Sequence, residues 1–298
     1  LTILCAISYW FAGMSGFDAI AHSMTTIATG GYSTTDGSIG SFESWPIDLI
    51  ATVGMIIGSL PFILYLKTLQ GSYSALWQDS QVQWFISIVV IIMLAVASRL
   101  WLSSELEPIQ ALRYAAFNVV SIITGTGYAT SDYSQWGSFA VPVFFFIMFI
   151  GGCAGSTTCG IKIFRFQVLY AAARAQLHQL LQPHGVFMPY YNRRPISDEV
   201  IVSVLSFFFV FGVCFALLAI GLGMLGLDYL TAISSAATAI SNVGPALGPI
   251  VGPAGNFQSR CRARQHQRCR AIDPSRAVEP DHADQAIGAR PGRGLVYS

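Results

Sequence analysis

Charged residues are scarce in this chain of 298 residues. They make up only 10% of it, whereas hydrophobic residues make up 53%. Soluble domains usually carry about 25% charged residues. The composition therefore indicates a membrane protein, and the net charge of +1 provides no general basic surface for nucleic acid. We expect a lipid bilayer as the surrounding medium, no nucleic-acid partner and no covalently bound cofactor.

Patterns typical of catalysis or metal binding are also missing. The six cysteines have spacings that match neither a zinc site nor a disulfide framework. Cys153 and Cys159, even with His178, are better explained as packing residues than as a metal or thiol site. The apolar segments hold no paired carboxylates and no HExxH motif. We therefore expect that the protein is not an enzyme.

Long apolar runs, by contrast, are present. A bilayer core about 30 Å thick needs roughly 20 apolar residues in a helix. Four runs meet or approach that length: 46–66, 82–102, 139–170 with a break inside it, and 200–225. Residues 1–14 are also apolar but lack a basic start, so we expect the end of a further span rather than a signal peptide.

Three shorter apolar segments, 17–28, 109–124 and 227–240, are too short to cross a bilayer. They end in related motifs, SMTTIATGGYST, NVVSIITGTGYAT and SAATAISNVGPALG, which align on Gly31, Gly127 and Gly244. Repeats of this size are typical of symmetric bundles.

One such motif alone would be explained best as a helix that ends at glycine. Three aligned copies between spans favour re-entrant loops, because irregular backbone at membrane depth must face protein or water. Carbonyl groups of several such loops can replace the hydration shell of an ion. The repeats therefore predict an ion path.

A further glycine-rich segment, GGCAGSTTCG at 151–160, breaks the run 139–170. It is explained either by close helix packing through small residues or by a loop inside the membrane. Lys162 follows at once and is either a snorkelling anchor or a charge that repels or gates cations. The sequence leaves these alternatives open.

Taken together, the motifs HSMTTIATGGYST, SIITGTGYATSDY, SNVGPALG and GGCAGSTTCGIKIFR resemble the Trk/Ktr/HKT superfamily of K⁺ transporters, particularly its bacterial TrkH type, over about residues 1–257. The resemblance implies an all-α polytopic membrane protein built from span–pore-helix–span units around a pseudo-fourfold pore. It implies K⁺ uptake across the bacterial inner membrane. It also implies a homodimer and a cytosolic nucleotide-binding regulatory subunit of the TrkA kind.

The resemblance also assigns residues to roles. It implies that the K⁺ filter is formed by Thr29, Gly30, Gly31, Thr126, Gly127, Asn242, Val243 and Gly244. It implies that the gate is formed by Gly151, Gly152, Gly155, Ser156, Thr157, Thr158, Cys159, Gly160 and Lys162. Thr158 and Cys159 stand where the family usually has glycine, which predicts a stiffer loop or altered gating.

Charge placement predicts the orientation. The connector 162–199 carries Lys162 and four arginines, so the positive-inside rule makes it cytoplasmic. Carboxylates near the entrances of the loops are expected on the opposite side, where they either concentrate cations or are ordinary solvated charges. They are Asp36, Glu43, Glu105, Glu107, Asp132 and Asp228.

These features divide the chain into three repeats and a tail. We expect a pore repeat with a partial first span over 1–70, a repeat with the broken gate helix over 71–181, and a partial last repeat over 182–257. The tail, 258–298, is rich in arginine and is expected to be disordered. Our preferred hypothesis for the tail is out-of-frame translation of a GC-rich gene; binding of the basic tail to anionic lipid or nucleic acid is the alternative.

Since the family has four repeats, the sequence predicts that the first repeat and the closing span are absent. The alternative to K⁺ uptake is therefore a non-conducting fragment or a membrane scaffold of the same family.

Overall fold

The computed structural model describes residues 1–103, 106–182, 184–192, 194–248 and 251–253. These residues are mainly helical, as expected. The predicted tail, 258–298, lies outside the described residues. The helices are α1 (Thr2–Phe11), α2 (Gly16–Ile27), α3 (Trp45–Gly58), α4 (Phe62–Leu69), α5 (Ala75–Gln78), α6 (Ser80–Ser103), α7 (Pro108–Ile123), α8 (Ala140–Ile147), α9 (Ile163–Leu181), α10 (Asp198–Met224) and α11 (Tyr229–Ser241).

Short non-α elements lie in the connections. Single 3-10 turns occupy Ser38–Phe42 and Tyr133–Gln135. Two strands, β1 (Tyr190–Tyr191) and β2 (Arg194–Pro195), form an antiparallel hairpin between α9 and α10. The sequence did not predict this hairpin, because two-residue strands leave no readable alternation of apolar and polar residues.

Two helices, α6 and α10, are individually long and apolar enough to cross a membrane, and α3 with α4 reaches that length only as a pair. The apolar run 46–66, expected to be of span length, is bent, because α3 and α4 meet at an angle of 91°. Pro61 lies at this bend. Proline lacks the N–H that would continue a helix and disfavours helical backbone in the residue before it.

The break predicted within 139–170 is confirmed. The eight-residue helix α8 ends at Ile147, and α9 begins at Ile163. Between them the chain forms an irregular loop closed by a parallel bridge between Ile150 and Ile161.

The three short apolar segments are helices, with bounds within two residues of the prediction: α2, α7 and α11. We call them the pore helices. Each packs against the helix that precedes it, α2 on α1, α7 on α6 and α11 on α10. Each also begins with a favourable residue: Ser15 and Asp228 accept from backbone N–H groups of α2 and α11, and Pro108 begins α7.

Helix α3 lies between the first two pore helices, packing against both α2 and α7. Gly54 and Gly58 allow this approach. A Cβ atom at Gly54 would lie 2.7 Å from the Thr26 Cγ2, and one at Gly58 would lie 2.6 Å from the Ile27 carbonyl oxygen. Small residues spaced by four let helices approach closely in membranes. The glycines thus hold α3 against the end of the first pore helix.

The core lies around α7, whose residues 117–123 are all buried. Helix α10 is the opposite case, because Val204 is the one buried residue that it contains. Large apolar side chains such as Phe209 and Leu217 are 72% and 65% exposed on it. Such a surface is suited to lipid or to another membrane helix rather than to water.

Candidate ion filter and gate

The three pore helices end in the same backbone motif. In each, an N–H group just beyond the helix donates to the carbonyl five residues earlier, which is the six-to-one bond of a Schellman motif. The bonds run from Gly30 N to Thr25 O (2.7 Å), from Thr126 N to Ser121 O (3.0 Å) and from Val243 N to Thr238 O (3.1 Å). The sequence repeats are therefore also structural repeats.

Positive φ angles recur at two aligned positions in each turn. The aligned glycines Gly31, Gly127 and Gly244 have φ of 68°, 81° and 104°. Two residues earlier, Thr29, Gly125 and Asn242 have φ of 49°, 68° and 53°. This alternation turns the peptide planes away from the helical direction.

Sequence reasoning missed Gly125. Its signal was available, since Gly125 stands two residues before Gly127, as Thr29 stands before Gly31 and Asn242 before Gly244. Glycine adopts the left-handed conformation freely, whereas Thr29 is a β-branched residue that adopts it at a cost.

The three turns, which we call the filter turns, contact one another in chain order. A Cβ atom at Gly31 would collide with the Thr126 carbonyl oxygen, and a Cβ atom at Gly127 would collide with that of Val243. The first turn thus meets the second, and the second meets the third, through equivalent atoms. Among the described residues, no atom lies within 4 Å of the corresponding point on Gly244.

Hydroxyl groups of the pore helices hold the first two turns in place. Thr25 Oγ1 donates to the Tyr32 carbonyl at 2.9 Å, and Ser121 Oγ donates to the Tyr128 carbonyl at 2.6 Å. These two pairs occupy equivalent positions. The third repeat differs, because Thr238 Oγ1 bonds within its own helix.

Tyr128 joins the second turn to the first pore helix. Its ring is fully buried. Its hydroxyl lies within hydrogen-bond distance of Thr25 Oγ1 and donates to the His22 carbonyl at 3.3 Å. A phenol buried in this way fixes the spacing between two repeats through a directional bond.

The segment that follows the first turn is tied to the start of α2. His22 Nε2 lies 3.0 Å from Ser33 Oγ. Asp18 accepts from Thr34 Oγ1 at 2.7 Å and from Ser15 Oγ at 2.7 Å. These two hydroxyl donors lower the pKa of Asp18, because they stabilise its charged form.

The glycine-rich segment 151–160 lies against all three filter turns. Thr29 Oγ1 donates to Thr157 Oγ1 at 3.3 Å, and Asn242 Nδ2 donates to Cys159 Sγ at 3.2 Å. At Gly125, a Cβ atom would lie 3.6 Å from Cys159 N. The segment, here called the gate loop, thus reaches every left-handed residue that begins a filter turn.

Thr157 anchors the gate loop to two helix ends. Its hydroxyl lies 3.0 Å from the Ile27 carbonyl and 3.0 Å from the Gly58 carbonyl, and its N–H donates to Gly58 O at 3.2 Å. Carbonyls at helix C-termini have no partner within the helix. The gate loop supplies partners for the ends of α2 and α3 together.

The bend between α3 and α4 also serves the gate loop. Cys153 N donates to the Ser59 carbonyl at 3.0 Å, and Phe62 N donates to the Gly155 carbonyl at 3.0 Å. Both partners become free because the helix is interrupted between Gly58 and Phe62. A continuous span over 46–66 would leave the gate loop without these bonds.

Lys162 folds back onto the gate loop. Its ammonium group donates to the Thr158 carbonyl, to Thr158 Oγ1 at 3.0 Å and to Ser156 Oγ at 3.4 Å. Of the two explanations open at the sequence level, this geometry does not fit a snorkelling anchor, whose amine would extend away to water. Lys162 instead closes the base of the loop.

The cysteines have different surroundings. Cys153 is fully buried, as expected for a packing residue. Cys159 is only partly buried and bonds to the third filter turn. Packing alone is therefore an incomplete description of Cys159.

The eight predicted filter residues thus lie in three turns that touch one another. The nine predicted gate residues lie in one segment, with Lys162 at its end. The predicted carboxylates are more scattered. Asp132 accepts from Ser134 N at 3.0 Å and Asp228 from Thr231 N at 3.1 Å, so both serve as caps. Glu105 lies outside the described residues.

Helices of membrane-spanning length that alternate with short helices, whose glycine turns touch one another, define a pore-loop membrane protein. Comparison with known proteins gives the family. The TrkH family model, described as a cation transport protein, matches residues 1–259. The chain belongs to the TrkH family.

Named relatives agree with this placement. The Trk system potassium uptake protein TrkI of Halomonas elongata is 46% identical over 258 residues, which cover 86% of this chain and 52% of that protein. TrkH of Vibrio parahaemolyticus is 35% identical over 267 residues, 88% of this chain and 55% of that protein. These relatives are transport proteins and not enzymes, in agreement with the sequence-based expectation.

A solved structure shows the same fold. The crystal structure of the potassium transporter TrkH from Vibrio parahaemolyticus superposes with a TM-score of 0.81 at 34% identity, covering 88% of this chain and 57% of that one. The predicted superfamily and all-α pore architecture are therefore confirmed. The chain spans about half the length of the curated relatives it matches.

Proposed function

We propose that this chain forms most of the pore of a K⁺-uptake protein, with the filter turns as the binding site for the transported ion. The observation that carries the proposal is the pair of equivalent contacts between turns, Gly31 on Thr126 and Gly127 on Val243. Backbone carbonyls arranged around one centre can replace the hydration shell of K⁺. The relatives named as potassium uptake proteins support the choice of ion.

The repeats expected from the sequence, 1–70, 71–181 and 182–257, are the sectors of this pore. Each contributes one pore helix and one filter turn. The pore is a passive or gated path for K⁺, and no covalent chemistry takes part.

The gate loop is the barrier in the proposed path. It bonds to Thr29, Asn242 and the ends of α2 and α3, so it occupies the space on one side of the filter. Opening requires that the loop leave these partners. The positive charge of Lys162 at its base opposes the passage of cations while the loop is in place.

We propose further that the protein acts as a homodimer in the bacterial inner membrane, together with a cytosolic nucleotide-binding subunit. The basic connector 162–199 lies on the cytosolic side and continues directly from the gate loop into α9. A regulator bound to this connector would therefore act on the gate through one helix.

Uptake of Rb⁺ by a strain that lacks its own K⁺ systems tests the proposal. The full-length protein is expected to restore growth at low K⁺ and to take up Rb⁺. Failure of correctly inserted full-length protein to do either would refute K⁺ transport.

A second candidate is a non-conducting membrane scaffold of the same family. The observation behind it is that, among the described residues, a Cβ atom on Gly244 would meet no atom within 4 Å, whereas those on Gly31 and Gly127 would meet a neighbouring turn. Expression of residues 1–298 alone separates the two: Rb⁺ uptake by this chain excludes the scaffold, whereas correct insertion without uptake supports it.

A further inference from the structure

A cavity of about 430 Å³ lies between the start of α6, one face of α9 and the segment that leads into β1. None of its lining residues belongs to a filter turn. Its lining includes a buried polar floor, a basic mouth and aromatic walls. The residues that matter here are Ser80, Trp84, Gln167, Arg174, His178 and Phe187.

Buried polar groups form the floor of this cavity. Gln167 is only 7% exposed, and its Nε2 donates to the Ser80 carbonyl at 3.0 Å. Within the described part of the chain, its Oε1 has no hydrogen-bond partner, whereas the Ser80 hydroxyl interacts with the Tyr191 hydroxyl. Buried polar atoms are normally paired, because an unpaired one loses the hydrogen bonds that water would supply. The floor therefore suits a ligand that donates a hydrogen bond.

Basic side chains form the mouth. Arg174 and His178 lie one turn apart on the same face of α9 and are both exposed. None of the lining residues is acidic. Among the described residues, Arg174 has no carboxylate partner, since the one ion pair found there joins Asp48 and Arg113. The N–H donors of the Arg174 guanidinium group are therefore available to an anion. Their planar arrangement fits phosphate oxygens.

The walls place the cavity at the edge of the membrane. Helix α6, one of the candidate spans, begins at Ser80. Trp84 and Tyr170 contact each other there with ring centroids 5.6 Å apart, and the His178 ring stacks on Phe187 at 5.5 Å. Aromatic residues concentrate at the level of lipid headgroups. Basic pockets at the cytoplasmic ends of membrane helices bind anionic headgroups.

We propose that this cavity binds a phosphate ester that carries a free hydroxyl group. Arg174 and His178 contact the phosphate at the mouth, while the ligand hydroxyl donates to Gln167 Oε1 at the floor. The headgroup of phosphatidylglycerol from the inner leaflet and soluble glycerol phosphate both have this chemistry. The proposal does not depend on ion conduction.

Thermal unfolding of the full-length protein in a neutral detergent tests the site. The probes are phosphatidylglycerol, phosphatidylmethanol, phosphatidylcholine and glycerol phosphate. Phosphatidylmethanol has the same charge as phosphatidylglycerol but lacks the headgroup hydroxyls. We expect phosphatidylglycerol to raise Tm more than phosphatidylmethanol, and both more than phosphatidylcholine. A rise with glycerol phosphate alone would assign the site to the soluble ester, and a rise with the lipid alone would assign it to the membrane.

Two variants identify the place of binding. Arg174→Gln removes the guanidinium group and is expected to weaken binding about tenfold, because it removes a charge-assisted hydrogen bond to the phosphate. Lys67→Gln is the control, because it removes an equal charge from the exposed end of α4. Equal responses of wild type, Arg174→Gln and Lys67→Gln, or no response to any phosphate ester, would overturn the proposal. Equal rises in Tm with phosphatidylglycerol and phosphatidylmethanol would show that the ligand hydroxyl does not contribute to binding.

Discussion

Gly127 lies where the second filter turn meets the third. It has a φ of 81°, and a Cβ atom would collide with the Val243 carbonyl and lie 2.8 Å from Pro245 Cδ. Two separate constraints therefore require glycine: the backbone angle and the lack of space. The first costs about 1–2 kcal/mol for an L-residue with a side chain, and the second displaces a carbonyl that belongs to the filter.

Substitution of Gly127 by alanine is therefore expected to lower the preference for K⁺ over Na⁺. A shift of about 1.4 kcal/mol between the ions would reduce it tenfold. The measurement is Rb⁺ uptake by the full-length protein in competition with Na⁺. Gly137→Ala is the control, because Gly137 has a φ of 90° but no described atom lies within 4 Å of its Cβ position. Loss of selectivity in Gly137→Ala as well would show that the effect does not depend on the contact between the filter turns.

Thr29 illustrates a different constraint on one residue. It takes the left-handed conformation with a φ of 49°, where the second repeat has Gly125. Its hydroxyl bonds to the gate loop at Thr157, a contact that glycine cannot make. Strained residues that persist at functional positions store about 1–3 kcal/mol. At this position the side chain links a filter turn to the gate.

At the scale of elements, Thr157 connects the gate loop to α2 and α3. Thr157→Val keeps the shape of the side chain but removes the hydroxyl shared by Ile27 and Gly58. We expect the loop to detach more readily, so that uptake becomes faster and less dependent on regulation. Rb⁺ flux into proteoliposomes that contain the full-length protein alone measures this.

The matched control for the gate is Thr52→Val. Thr52 donates within its own helix, to the Asp48 carbonyl at 2.7 Å, and contacts no gate residue through a hydrogen bond. An increase in flux for Thr157→Val but not for Thr52→Val is expected. Unchanged flux in Thr157→Val, with normal folding, would show that the loop is not held closed by this hydroxyl.

The second pore helix depends on an ion pair with α3. Arg113 Nε and Nη2 each lie 2.8 Å from Asp48 Oδ2, and the Asp48 side chain is only 6% exposed. Removal of one partner from a buried pair costs about 3–5 kcal/mol, because it leaves an isolated charge. We therefore expect Arg113→Leu to lower Tm strongly and the double variant Asp48→Leu, Arg113→Leu to recover part of the loss. Thermal unfolding in detergent measures both, and additive losses would contradict a direct pairing.

The elements show what a sequence can predict in such a protein. The pore helices were predictable because their length, capping residues and glycine ends are local features, as at Ser15 and Gly127. The 91° bend was missed, although Pro61 is a local signal for a helix break, because the run 46–66 is apolar enough overall to suggest one span. The partners at the bend could not be predicted, because Cys153 and Gly155, which bond to the backbone groups that the bend exposes, are distant in sequence.

The site was predictable to a similar degree. The aligned motifs gave the filter residues, but they gave no contact between turns and no partner for the gate loop. The bond between Asn242 and Cys159 joins residues that are 83 positions apart, and Lys162 was left with two roles. Such contacts depend on how the repeats pack, which no local pattern records.

For the whole molecule, orientation in the membrane is the property that joins the filter, the gate and the proposed phosphate site. The connector 162–199 holds Lys162 and four arginines, and basic connectors remain in the cytoplasm. The first filter turn continues into an outer loop that contains the exposed residue Asp36. The fold thus predicts that Asp36 faces outward and that His184, exposed beyond α9, faces the cytoplasm.

Labelling of single cysteines tests this orientation. In a variant of the full-length protein without its own cysteines, Asp36→Cys is expected to react with a membrane-impermeant maleimide on intact cells. His184→Cys is expected to react only after the membrane is permeabilised, because the reagent must reach the cytoplasmic face. Rb⁺ uptake by each variant shows that it is correctly folded. Labelling of His184→Cys on intact cells would show that the predicted orientation is wrong. The gate loop would then not lie on the cytoplasmic side of the filter turns.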